Sequence, residues 1–106
     1  MEKGNSLDKE KEKKFSFIFR LYITGVSPNS SRAVTNFKNI CESYLKGQYD
    51  LSIIDVYQQP QIAKSVDIIA LPLLVRKMPL PERRLIGDMS DEKTVVKNLG
   101  ILNEEK

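Results

Sequence analysis

An α/β fold built as one domain is predicted by three features of the sequence. Apolar and polar residues alternate over Phe15–Thr24, apolar residues recur at three-and-four spacing over Ala33–Leu45, and a second apolar strand pattern follows over Tyr49–Val56. Strand, helix and strand within about forty residues make a right-handed βαβ unit. At 106 residues the chain is long enough for one core and too short for two independent ones.

In the first strand, Phe15, Phe17, Phe19, Leu21 and Ile23 occupy one face, while Ser16, Arg20, Tyr22 and Thr24 occupy the other. The aromatic and β-branched content fits a pleated, half-buried surface. Gly25-Val26 ends it. Ser27-Pro28 then starts a helix, with Ser27 as the cap and Pro28 at the first helical position, where its missing N–H costs nothing. Ala33, Val34, Phe37, Ile40, Cys41, Tyr44 and Leu45 form its apolar stripe, and Gly47 supplies a left-handed stop. In Tyr49–Val56, Leu51 and Ile53 face one way and Ile54 and Val56 the other. That two-sided apolarity predicts an interior strand parallel to the first.

The C-terminal half is less sharply patterned. Pro60 opens a short helix carrying Ile62, Ala63 and Val66. A continuous apolar run, Ile68–Val75, contains Pro72, which cannot donate to a sheet ladder. Pro72 therefore belongs at a strand's start, on an edge or in a cis turn. Lys77–Pro81 turns the chain and Arg84–Gly87 is a short return strand. Ser90 is the expected cap of a last helix with Asp91 and Glu92 in its first turn and Val95, Val96, Leu99 and Leu102 on its apolar side. Residues 1–14 carry five lysines against four acidic residues and have no apolar face. They are read as a disordered charged leader to the single domain 15–106.

Composition narrows the chemistry. The chain has 17 Lys plus Arg against 14 Asp plus Glu, a net charge of +3, no His, no Trp, and one cysteine, Cys41. An internal disulfide, a His/Cys zinc site, a histidine general base and a Cys–His nucleophile pair are all unavailable. Carboxylates and carbonyls alone could suit only magnesium or calcium. No catalytic residues, cofactor or metal are expected, and the composition leans against an enzyme. Cys41 lies on the helix stripe beside Phe37 and Tyr44 and is read as a core residue. Arg76, Lys77, Arg83 and Arg84 fall within nine residues and are read as a solvated basic face, not a nucleic-acid site. No apolar run reaches the length of a membrane span, and the cytoplasm is the expected location.

The element order β-α-β-α-β-β-α, with a proline before the third strand, is thioredoxin-like. Where a thioredoxin has Cys-x-x-Cys, between the first strand and first helix, this chain has Ser27-Pro28-Asn29-Ser30. The scaffold is expected without its redox chemistry. Three stretches, Leu21–Ala33, Gly47–Ala63 and Ala70–Lys93, resemble the KaiB family of bacterial circadian-clock proteins through the SPNS turn, IDV, the Pro60-Gln61 step, ALP and RRLIGD, all in collinear order.

That resemblance implies a non-enzymatic regulator that binds the ATPase ring of KaiC. It also implies two packings: a resting homo-oligomer, tetramer or dimer, with a refolded C-terminal half, and a thioredoxin-like binding form. States a few kcal/mol apart can be exchanged by a partner that prefers one. By resemblance, Tyr49, Asp50, Leu51 and Ser52 lie on the KaiC-facing strand, and Pro72, Asn98 and Gly100 are linked to the switch. Asp50 and Ser52 stand where family members carry Ala and Lys, a local charge change of two units. The other reading is a thioredoxin-fold adaptor for a different signalling partner, such as a sensor kinase.

Overall fold

The structure, a computed structural model, describes residues 15–25, 27–65, 68 and 70–101. Its elements are β1 (Phe17–Ile23), α1 (Pro28–Tyr44), β2 (Tyr49–Asp55), α2 (Pro60–Ser65), β3 (Leu73–Met78), β4 (Arg83–Ile86) and α3 (Glu92–Asn98). The four strands form one mixed sheet in the order β2-β1-β3-β4. β1 pairs in parallel with β2, from Phe17 opposite Tyr49 to Ile23 opposite Asp55, and antiparallel with β3. β3 and β4 form an antiparallel pair.

The alternation in β1 feeds two apolar layers. Phe19 and Leu21, with Leu74 of β3, pack against Ala33, Phe37, Ile40 and Cys41 of α1 and against Val95, Val96 and Leu99 around α3. Phe37 meets Phe19 edge to face at 4.8 Å, the preferred geometry of an aromatic pair. On the opposite face Tyr22, Val56, Leu73 and Val75 form a smaller cluster, with Ile62 of α2 packed on it.

The start of α1 follows the expected chemistry. Pro28 sits in its first turn, and Ser27 Oγ accepts the Ser30 N–H at 3.1 Å. Ser30 is itself buried, and its Oγ accepts the Thr24 N–H at 3.1 Å, so two hydroxyls tie the end of β1 to the helix. At the other end Leu45 N–H returns to Cys41 O, and Gly47 takes φ +78°.

Four expectations are corrected. β2 is an edge strand, not an interior one. Its two-sided apolarity arises because helices flank both faces of the sheet, not because it has strands on both sides. Asp91, not Ser90, caps α3, its carboxylate accepting the Thr94 N–H at 3.3 Å. The Ser90 N–H is taken by Asp88 Oδ1 at 3.0 Å, which fixes Ser90 in the preceding turn. The basic cluster is not one solvated face, because Arg76 is only 6% exposed and points to the α1/α3 side. The return strand runs one residue earlier than expected, over Arg83–Ile86. Pro72 directly precedes β3 and its bond with Leu71 is cis, and its carbonyl accepts the Gly87 N–H. The expected leader over residues 1–14, Val66 and Leu102 lie outside the described residues.

Candidate functional site

β2 exposes a strand edge, and all four residues expected to face a partner lie on it. Its inner side is hydrogen-bonded to β1, while its outer row of backbone groups has no strand neighbour among the described residues. Such an edge is a template for another chain unless it is blunted. Strand alternation divides the side chains. Tyr49 and Leu51 are half-buried against the α1 layer, whereas Asp50 and Ser52 are exposed on the opposite face. Tyr49 is held in place by its hydroxyl, which donates to Glu42 Oε2 at 2.7 Å. That bond, with some burial, pushes the phenol up to about 12, so Tyr49 is a neutral donor at physiological pH.

Register supplies the electrostatic setting. Ser52 lies opposite Arg20 and Asp50 opposite Ile18. The exposed row across β2 and β1 therefore presents a hydroxyl and a guanidinium side by side, with a carboxylate two residues earlier on the edge. Apolar surface lies close by, with Ile53 37% exposed on the Tyr49/Leu51 side of the strand and Tyr57 77% exposed in the turn that follows it. Asp55 fixes the turn that carries Tyr57, since its Oδ1 accepts the N–H groups of Gly25 at 3.1 Å and Tyr57 at 2.9 Å. Exposed aromatic and aliphatic groups beside a few charges are the composition of a protein-binding surface.

The residues that the sequence resemblance would link to a switch, Pro72, Asn98 and Gly100, are not brought together with this edge, because β1 stands between β2 and β3. Pro72 is buried at the entry to β3. Asn98 is exposed at the end of α3, and Gly100 follows in the left-handed region at φ +65°. A Cβ at Gly100 would stand 3.0 Å from Arg76 Nη1. Arg76 is the residue that sequence reasoning misassigned. The signal was available, because Leu74 and Arg76 share a face by strand period and Leu74 is an obvious core residue.

Chemistry of other kinds finds little support in the geometry. Cys41 is fully buried, and desolvation, with Glu42 nearby, pushes its thiol up to about 12. Ser27 and Ser30 occupy the positions of a thioredoxin's cysteines and act as a cap and a turn acceptor. Among the described residues no three His, Cys, Asp or Glu side chains are grouped to hold a metal ion, and no helix is long and apolar enough to cross a membrane.

Comparison with known proteins decides the family. Residues 20–101 match the KaiB domain. The Circadian clock oscillator protein KaiB of Picosynechococcus sp. is 45% identical over 92 residues, covering 87% of this chain and 88% of the relative. This chain belongs to the KaiB family. The KaiB of Prochlorococcus marinus subsp. pastoris is 44% identical over 90 residues, covering 85% of this chain and 84% of that protein. Two solved structures share the thioredoxin-like fold of this KaiB-family chain. The N-terminal domain of Synechococcus elongatus SasA superposes with a TM-score of 0.66 at 21% identity, covering 87% of this chain and 90% of that one. Chloroplastic thioredoxin z superposes with a TM-score of 0.65 at 16% identity, covering 92% and 89%. At these identities the likeness is one of fold. Family and fold together place this KaiB-family chain on a thioredoxin-like scaffold, with Ser27 and Ser30 where a thioredoxin has its two cysteines.

Proposed function

We propose that this KaiB-family chain is a cytoplasmic, non-enzymatic regulator that docks onto a KaiC-type ATPase ring, with the β2 edge as a contact surface. The observation that supports this best is the pair of exposed side chains Asp50 and Ser52 on the edge strand β2, whose outer side has no strand neighbour among the described residues, with Ile53 and Tyr57 exposed nearby. The edge offers backbone pairing, and the alternate side chains offer selection. The resemblance further supports a resting homo-oligomer, tetramer or dimer, with a repacked C-terminal half, which light scattering of the isolated protein reads directly.

The charges on the edge argue for a partner of its own. A surface matched to a lysine at position 52 meets a hydroxyl here, together with an added carboxylate at Asp50. Leaving one side of a charge pair unmatched at an interface costs about 2–5 kcal/mol, enough to turn micromolar binding into none detectable. This favours a KaiC with compensating changes, or the second reading, an adaptor for another signalling protein. Size-exclusion chromatography with ATP, using the KaiC of the same genome and a cyanobacterial KaiC, separates them. Co-elution with the former and not the latter supports the proposal, and Asp50→Ala with Ser52→Lys then gains affinity for the cyanobacterial ring. Co-elution with neither refutes docking on KaiC and leaves the adaptor reading.

A further inference from the structure

Arg76 is the one buried side-chain cation among the described residues. Its Nη1 donates to the Leu99 carbonyl and its Nη2 to the Pro81 carbonyl, each at 2.6 Å, while its Nε is buried without a hydrogen bond. The ion pairs among the described residues, Arg32–Asp88, Lys77–Glu82 and Arg84–Glu82, do not include it. Burial, and then the neighbouring Arg83, lower its pKa. A cation removed from water without a carboxylate depends on the few dipoles that solvate it. Here those are two main-chain carbonyls from segments far apart in sequence, one after α3 and one in the turn before β4.

The element so held is short and depends on tertiary contacts. α3 has seven residues, far short of what persists alone in water. It is fixed by Val95, Val96, Leu99 and Ile101 in the core and by polar ties at its two ends. At its start Tyr44 donates to Glu92 Oε2 at 2.6 Å, an exposed contact. At its finish the tie is Arg76, closed over by Gly100, where any Cβ would press on Nη1.

We infer that Arg76 is a clasp that sets how readily the C-terminal segment 92–101 opens from the sheet as a unit, independently of the β1–α1–β2 half. The guanidinium fork spans two carbonyls at once, which a lysine cannot do. When the segment lifts, the charge regains water, so the desolvation that burdens the closed state is relieved on opening. The clasp is thus both the tie and the weak point.

Residue-resolved hydrogen exchange on the full chain tests this. Arg76→Met should speed exchange at the Val95, Leu99 and Ile101 amides by about ten- to a hundredfold, while Leu45 and the α1 amides stay within a few-fold. Arg76→Lys, which keeps the charge and can reach one carbonyl, should fall between and serves if the methionine variant does not fold. Gly100→Ala should speed the same amides. Combined with Arg76→Met its effect should be smaller than the product of the two, because the contact with Nη1 is gone and only the backbone strain of alanine at φ +65° remains. Unchanged or slower exchange in α3, equal acceleration across α1 and α3, or independent multiplication in the double variant would each overturn the inference.

Discussion

Ser30→Ala should cost about 1–3 kcal/mol, more than the roughly 1 kcal/mol expected for Ser27→Ala, although Ser27 is the formal helix cap. The reasoning rests on where each orphaned group is left. Ser30 is 1% exposed, and its Oγ is the acceptor for the Thr24 N–H at the end of β1. Alanine fits the same space but leaves that donor with no partner and limited access to water. Removing the Ser27 hydroxyl frees the Ser30 N–H, a first-turn donor of a helix whose cap is half-buried and reachable by solvent. The two bonds run in series, Thr24 N–H to Ser30 Oγ and Ser30 N–H to Ser27 Oγ, so the double variant should depart from additivity by about 0.5 kcal/mol or more. Urea unfolding at unchanged m reads this: at an m of about 2 kcal/mol/M, a 2 kcal/mol loss moves the midpoint by about 1 M. A Ser30→Ala midpoint indistinguishable from wild type, or a larger loss from Ser27→Ala, would refute the series arrangement.

Cys41 should resist thiol reagents in the native protein at neutral pH and react at once in urea, because its thiol is buried and pushed up to about 12. Phe37→Ala should cost about 3–5 kcal/mol, measured by the same urea titration, since a fully buried ring in edge contact with Phe19 is deleted. The Asp88 carboxyl is held below its usual 3.8 by hydrogen bonds from the Ser90 side chain and backbone, and then by Arg32. Its folded value lies below its unfolded one, so its contribution is present above the unfolded value and disappears as pH falls through the folded one. Asp88→Asn should therefore flatten the loss of stability on acidification from about pH 5 to pH 2, and an unchanged slope would contradict the assignment.

The βαβ half was legible because each residue there answers to one local rule. β1 alternates because it is sandwiched between helix layers, and α1 carries a clean stripe with a hydroxyl cap before it. β2 was placed wrongly in the sheet because apolarity on two faces reports what lies above and below a strand, and says nothing about what lies beside it. Ser90 and Asp91 are both good caps, and only the spatial fact that Asp88 captures the Ser90 N–H chooses between them. Arg76 is buried because strand period places it on the face of Leu74, and that period is a stronger guide than its closeness in sequence to Lys77, Arg83 and Arg84. The openness of Tyr49–Ser52 along the sheet edge depends on strand order, which no local pattern encodes.

β1 has one further property, which becomes plain when the protein is pictured leaving the ribosome. Its first edge is matched by β2, which follows closely in the chain, but its second edge must wait for β3. Some 50 residues separate Ile23 from Leu73, which at about 5–20 residues per second means roughly 2.5–10 s of synthesis. Through that interval a ribbon containing Phe19, Leu21 and Tyr22 has emerged with one side unzipped. Arg20, in the middle of that ribbon and still exposed in the finished fold, places a charge where a neighbouring nascent chain would otherwise pair.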